Sequence, residues 1–227
     1  MLDMSKVGTD SKMDSVKKLA RSERTIPNFA TFVRKGKTAP IRQDILDAAA
    51  KVFGNRGYES ATLEEVATVV GIQKGSLYYH IESKEQLLLE IHEQLKSVLF
   101  QRIHADVAAA KGDPIIEMKA IVTAIVETIS ANLDKAKVCL RDYRALSTKN
   151  VNVVLQNRDY LLDMIEGVIG RLVANGNGRV ASAWVAAQGI LGMAYWIIEW
   201  FDEKRDSGEQ VSEVLSAMVI NGLRAKR

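Results

Sequence analysis

TLEEVATVVGIQKGSLYYHIESK, residues 62–84, is the stretch on which the reading of this chain turns. Thr62-x-x-Glu65 is a capping-box pattern, which opens a helix by satisfying free N–H groups at both residues. Leu63, Val66 and Val70 give that helix one apolar face. Gly71 allows the tight turn that ends it, and Ile72 plugs the turn. A second helix is expected at Lys74–His80. So short a helix is unstable alone, so Leu77 and Ile81 must hold it from behind. Its front then carries Lys74, Gly75, Ser76, Tyr78, Tyr79 and His80. Small residues, donors and apolar edges in that order suit the major groove of DNA, entered by the helix's N-terminal end. Thr62 and Lys84 are placed to hold phosphates through hydroxyl, backbone N–H and ammonium. Two adjacent tyrosines cannot both face a core from one helix, so at least one is exposed.

Outward from this stretch the pattern stays helical. Pro40 opens a helix from Ile41 to Arg56, with Ile41, Ile45, Ala49, Val52 and Phe53 on one face and Gly57 at its end. Ser83 caps a long helix on the other side, with Gln86 at the capping-box position. Its stripe is Leu88, Ile91, Leu95, Leu99, Ile103 and Val107. Gly112-Asp113-Pro114 stops it. Further helices are expected at Pro114–Leu133, Lys135–Ser147, Asn150–Ala174, Arg179–Asp202 and Glu209–Ala225. This makes an all-α chain of about nine helices. Residues 39–84 are expected to form a helix-turn-helix domain and 85–227 a helical body large enough to pair two such heads and hold a ligand.

The totals agree. With 227 residues, 47% apolar, and only 3 prolines and 15 glycines, the chain has the composition of a globular helical protein. The net charge of +3 is uneven: residues 1–40 hold nine Lys/Arg and four Asp/Glu, leaving −2 for the remainder. Residues 1–38 therefore read as a basic, disordered arm suited to a polyanion. The single cysteine, Cys139, excludes an internal disulfide and fits a reducing cytoplasm. No apolar leader opens the chain. There is no Gly-x-Ser-x-Gly, no Gly-rich phosphate loop and no His-Glu-x-x-His. His92 and His104 offer His80 no ligand spacing. No catalytic set, metal site or cofactor is therefore expected.

The run from Asp44 to Ile91, with Ala48-Ala49, Phe53, Arg56-Gly57-Tyr58, Thr62, Glu65-Val66-Ala67, Val70-Gly71, Gly75-Ser76-Leu77-Tyr78-Tyr79-His80, Ser83-Lys84-Glu85 and Leu87-Leu88, closely resembles the DNA-binding domain of TetR-type transcriptional regulators. The likeness covers about residues 41–95. Gln73 departs from it, standing where many members cap the recognition helix with Ser or Thr, and Ile81 replaces a more usual Phe. The resemblance implies a homodimeric repressor that binds a double-stranded DNA operator and is released by a small-molecule effector. It implies that Tyr78 and Lys84 reach phosphates and that Lys74–Ser76 read bases.

The body is harder to read. Val180–Ile198 is uncharged over 19 residues and meets the length of a membrane span. Gln188, Ser182 and two glycines argue instead for burial at a helix–helix interface. A dimer interface is expected from Trp184, Gln188, Leu191 and Tyr195, with Val211, Leu215 and Met218 of the last helix. These two helices weakly resemble those of acyl-CoA-responsive TetR subgroups. A ligand pocket is expected from Met118, Cys139, Arg141, Tyr143, Trp184 and Tyr195. Arg141, Asp142 and Arg144 need partners or an anionic ligand. The competing class is an enzymatic or small-molecule-binding helical protein whose helix-turn-helix is only a packing motif. An activator, or two dimers on one operator, would share the fold.

Overall fold

The long helix expected after Ser83 is the axis on which everything else is mounted. A computed structural model describes residues 39–224; the arm at 1–38 and residues 225–227 lie outside the described residues. Among the described residues there are ten α-helical segments and one 3-10 turn: α1 Ala39–Arg56, α2 Leu63–Val70, α3 Lys74–Leu77, α4 Lys84–Ala109, α5 Pro114–Ala131, α6 Leu133–Arg141, the 3-10 turn Tyr143–Ala145, α7 Thr148–Ala174, α8 Ala183–Tyr195, α9 Ile197–Trp200 and α10 Gly208–Leu223. At ~1.5 Å per residue, α4 is roughly 40 Å long. Its first half packs on α1 and its second on α5.

Two apolar clusters form along it. The first holds α1, α2 and α3 together through Ile45, Phe53, Val66 and Leu77. Leu87, Leu88 and Ile91 of α4 belong to it, as do Val138 and Cys139 of α6 and Leu146. The core of the reading head thus runs past residue 84, and α6 is built into it. The second cluster surrounds α5, whose Met118, Ile121, Val122, Ile125 and Val126 are fully buried. α4, α7, α8 and α10 wrap this helix. Burying side chains of this size contributes about 1.5–3 kcal/mol each, which makes α5 the anchor of the body.

Three helices differ from their sequence pattern. The expected Arg179–Asp202 helix starts later and is interrupted. Arg179 N–H instead donates to Leu223 C=O (2.9 Å), tying the approach of α8 to the end of α10. Ser182 then caps α8 by accepting from Val185 N–H. At Trp196 the ladder changes to an i→i+3 bond, Glu199 N–H to Trp196 C=O, and α9 follows. The expected Lys135–Ser147 helix ends at Arg141, and Asp142 N–H donates to Val138 C=O before the 3-10 turn. The recognition helix is a single turn, Lys74–Leu77, prolonged to Ile81 by bonds to Ser76 and Leu77 carbonyls. No helix among the described residues is long and apolar enough to cross a membrane.

Candidate nucleic-acid interface

The interface is built on local rules that the sequence states openly. Glu65 N–H donates to Thr62 Oγ1 (3.2 Å) and Thr62 N–H donates to Glu65 Oε2 (2.8 Å), the reciprocal capping box. The Thr62 hydroxyl also lies 3.1 Å from that carboxylate. Bonds from Thr62, its backbone N–H first, hold the Glu65 carboxyl below its usual range. Thr62, expected as a phosphate contact, is therefore occupied as a cap. Gly71 has φ +79°, a region side chains avoid; its N–H and that of Ile72 close α2 on Thr68 and Ala67 carbonyls.

The recognition segment then emerges with a gripped back and an open front. Leu77 and Ile81 are buried in the head core. Tyr79 is 90% exposed and Tyr78 51%. Gly75 needs neither a positive φ nor space: a Cβ there would meet nothing within 4 Å. No contact among the described residues asks for glycine at this position. Gln73 makes no side-chain cap, as its departure from the resembling pattern implies. Lys74 Nζ is 3.3 Å from Glu64 Oε2, with both groups exposed, a pair worth little in water. Ser76 and His80 are half-buried, and the His80 carbonyl accepts from Arg42.

Lys84 is held more firmly than its sequence position suggests. Its ammonium sits 4.3 Å from the Tyr58 ring centroid and 5.9 Å from that of Phe53, and donates to Glu59 C=O at 3.2 Å. Tyr58 itself meets Phe53 edge-on at 5.3 Å. An ammonium has three donors; the Glu59 carbonyl takes one, and the ring fixes the position of the charge.

The body residues expected to form a pocket are spread over both apolar clusters and the surface. Met118 lies in the α5 cluster and Cys139 in the head cluster. Trp184 is exposed on α8. Burial raises the Cys139 thiol above its usual range and pushes Tyr195 up to about 12, with Arg158 and Cys139 within electrostatic reach of Tyr195. The charges near α6 find partners within the chain. Arg141 donates to Glu199 Oε1 (2.8 Å) and Arg144 donates to the Tyr143 hydroxyl (3.2 Å) and lies against its ring, while burial raises the Asp142 carboxyl above its usual range and the nearby Tyr58 backbone N–H partly offsets this. Among the described residues no group of three or more His, Cys, Asp or Glu is arranged to hold a metal.

The expected interface residues divide between surface and core. Leu191 and Val211 are buried against the chain's own core, and Leu215 and Tyr195 are partly so. Trp184, Gln188 and Met218 are exposed, joined by Val185, Trp196 and Val214, which the sequence pattern did not single out. Burial by neighbours in three dimensions separates these sets; a helix uncharged on all sides gives no signal for it.

Two family models match this chain: the bacterial regulatory proteins of the tetR family over residues 45–91, and the tetracyclin repressor-like C-terminal domain over residues 111–223. Together they cover more than half of it. The chain belongs to the TetR family. It is similar to the HTH-type transcriptional repressor KstR2 of Rhodococcus jostii, 35% identical over 91 residues, covering 40% of this chain and 44% of that one. The chain spans less than half the length of the first curated relatives it matches. The TetR-family regulator PfmR from Thermus thermophilus shares the fold with a TM-score of 0.71 and 27% identity, covering 82% of this chain and 98% of that one. AibR, solved in complex with isovaleryl coenzyme A and operator DNA, shares it with a TM-score of 0.70 at 24% identity, covering 78% and 97%. The named relatives are transcription regulators rather than enzymes. This TetR-family chain accordingly carries the helix-turn-helix head of that family at residues 45–91.

Proposed function

We propose that the chain is a dimeric repressor that binds a near-palindromic operator and is released by a small apolar or anionic effector. The observation that carries the operator contact is the recognition segment: Leu77 and Ile81 are buried behind it, while Tyr79 is 90% exposed in front and Gly75 borders open space. Lys74–Ser76 read base edges at the helix N-terminus. Tyr78, Tyr79, His80, Lys84 and Thr62 lie along the flanking phosphates, with Lys84 presented by the Tyr58 ring and Thr62 contributing chiefly as a cap. A dimer places two such segments in successive major grooves, about 34–36 Å apart.

The exposed apolar side chains of the α8–α10 region support the homodimer. Trp184, Trp196 and Met218 are exposed, as is Gln188; Leu191 and Val211 are buried, and Leu215 and Tyr195 partly so. The likeness to AibR supports an acyl-CoA thioester as the effector class. Met118, Cys139, Arg141, Tyr143, Trp184 and Tyr195 remain the proposed pocket residues, with Tyr195 and Cys139 within electrostatic reach of each other. Effector binding changes the attitude of α4 and with it the spacing of the two segments. Effector and operator then weaken each other by the same factor.

Selection of duplexes from a random-sequence pool tests the first part. The chain should enrich a sequence with two-fold symmetry; failure to enrich any sequence would refute the reading. Native mass spectrometry of the purified chain counts subunits and weighs any retained ligand together. Acyl-CoA thioesters added to the bound duplex should release it.

A further inference from the structure

We infer that Arg42, on the first turn of α1, is a positioning residue that couples the recognition segment to the long helix α4. This rests on the operator-binding reading above and adds how the attitude of the segment is set. One terminal nitrogen of the Arg42 guanidinium donates to the His80 carbonyl and the other to Glu90 Oε1. The three groups belong to α1, to the exit of the recognition segment and to α4.

The chemistry fits a clamp rather than a surface charge. The recognition segment is one helical turn, and a helix end leaves carbonyls without intrahelical partners. The Leu77 carbonyl accepts from His80 and Ile81, but that of His80 finds its donor 38 residues away. Guanidinium donors stand in a rigid planar fork, so bonding a carbonyl and a carboxylate together fixes an angle as well as a distance. A cation in the first turn of a helix opposes the helix dipole, so Arg42 gains nothing from α1 itself. Both of its partners lie on other elements.

The adjacent residue extends the link. Gln94 Nε2, one turn along α4 from Glu90, donates to Gln43 Oε1 at 2.9 Å. Lys135 Nζ of α6 donates to Gln94 Oε1 at 3.2 Å and pairs with Asp47 of α1 at 2.7 Å. A displacement of α4 or α6 is thus felt by α1 at Gln43 and Asp47. Arg42 is the member of this set that bonds to the backbone of the recognition segment.

The test uses full-length Arg42→Lys and Glu90→Gln. Lysine keeps the charge but cannot hold both partners in a fixed plane. Dissociation constants are measured for the duplex that the wild-type chain enriches from a random pool and for random duplex of equal length. Arg42→Lys should weaken the enriched duplex about tenfold or more while random duplex changes little, and Glu90→Gln should follow in the same direction with a smaller loss. A merely structural role, or a phosphate contact by Arg42, would affect both duplexes alike. Equal losses, or an unchanged affinity for the enriched duplex, would overturn the inference. Amide hydrogen exchange without DNA supplies an independent readout. Residues 79–81 should exchange faster in both variants while α5 keeps its protection; unchanged exchange at 79–81 overturns the clamp. If the wild-type chain enriches nothing, the operator reading fails, and exchange still decides the coupling.

Discussion

Replacing Lys84 by methionine removes one charge and keeps the length and apolar stem of the side chain. The structure predicts two separable effects. The first is on stability. A cation held 4.3 Å from the Tyr58 ring centroid at a partly exposed site contributes about 0.5–1 kcal/mol. The bond to Glu59 C=O adds about 0.5–1.5 kcal/mol net. A total of about 1–2.5 kcal/mol lowers Tm by roughly 2–10 °C in a chain of this size. The second effect is on DNA. A dimer loses two phosphate contacts, and each contributes about 0.9 to the slope of log affinity against log salt, so the slope flattens by about 1.8. From roughly 50 to 200 mM salt, the gap between wild type and variant should therefore narrow about tenfold. Fluorescence anisotropy titrations of the enriched duplex at four salt concentrations measure this. Parallel salt lines for the two proteins would show that Lys84 touches no phosphate, and that its place on Tyr58 serves the fold alone.

The two glycines of the recognition element should behave oppositely. Gly71→Ala forces a side chain to φ +79° and should cost about 1–2 kcal/mol in urea melts. Gly75→Ala should leave stability equal or raised by up to about 1 kcal/mol while weakening the enriched duplex. Burial depresses His92 from 6.5 to about 4, and its Nε2 has no hydrogen-bond partner among the described residues. The unfolded chain binds this proton more readily, so the contribution is complete above pH 6.5. It is lost as pH falls toward 4, by up to about 3 kcal/mol; urea midpoints of wild type and His92→Leu compared over that window should show a flatter curve for the variant. Trp196→Asp places a charge on the exposed face of α8–α10. It should convert dimer to monomer in sedimentation velocity with little loss of helicity, and an unchanged sedimentation coefficient would remove that face from the interface.

The reading head was legible because its determinants are local. Thr62 and Glu65 cap each other across three residues, Gly71 turns where φ is positive, and Leu77 and Ile81, one helical turn apart, bracket the exposed tyrosines. Each signal lies within a few residues of the feature it sets. Arg42 was not legible, because its meaning comes from partners 38 and 48 residues away. The interruption at Trp196 was hidden for another reason: no proline or charge marks it, and the backbone there stays in the right-handed helical region. Pocket and core use the same side chains, so Met118 and Cys139 could be named from sequence but not sorted into the separate clusters that hold them. In the same way Leu191 and Met218 read alike, although one faces inward and the other outward.

The three tryptophans of the chain, Trp184 on α8, Trp200 on α9 and Trp196 at the junction of the two, all reach the surface. The helix-turn-helix has none. Ultraviolet emission excited at the indole band therefore reports on one patch of the molecule, without any label. Serial dilution that separates paired subunits should move the emission maximum to longer wavelength as indoles meet water. The midpoint of that red shift gives the association constant directly, while bases stacking on Tyr78 or Tyr79 contribute nothing to the indole signal.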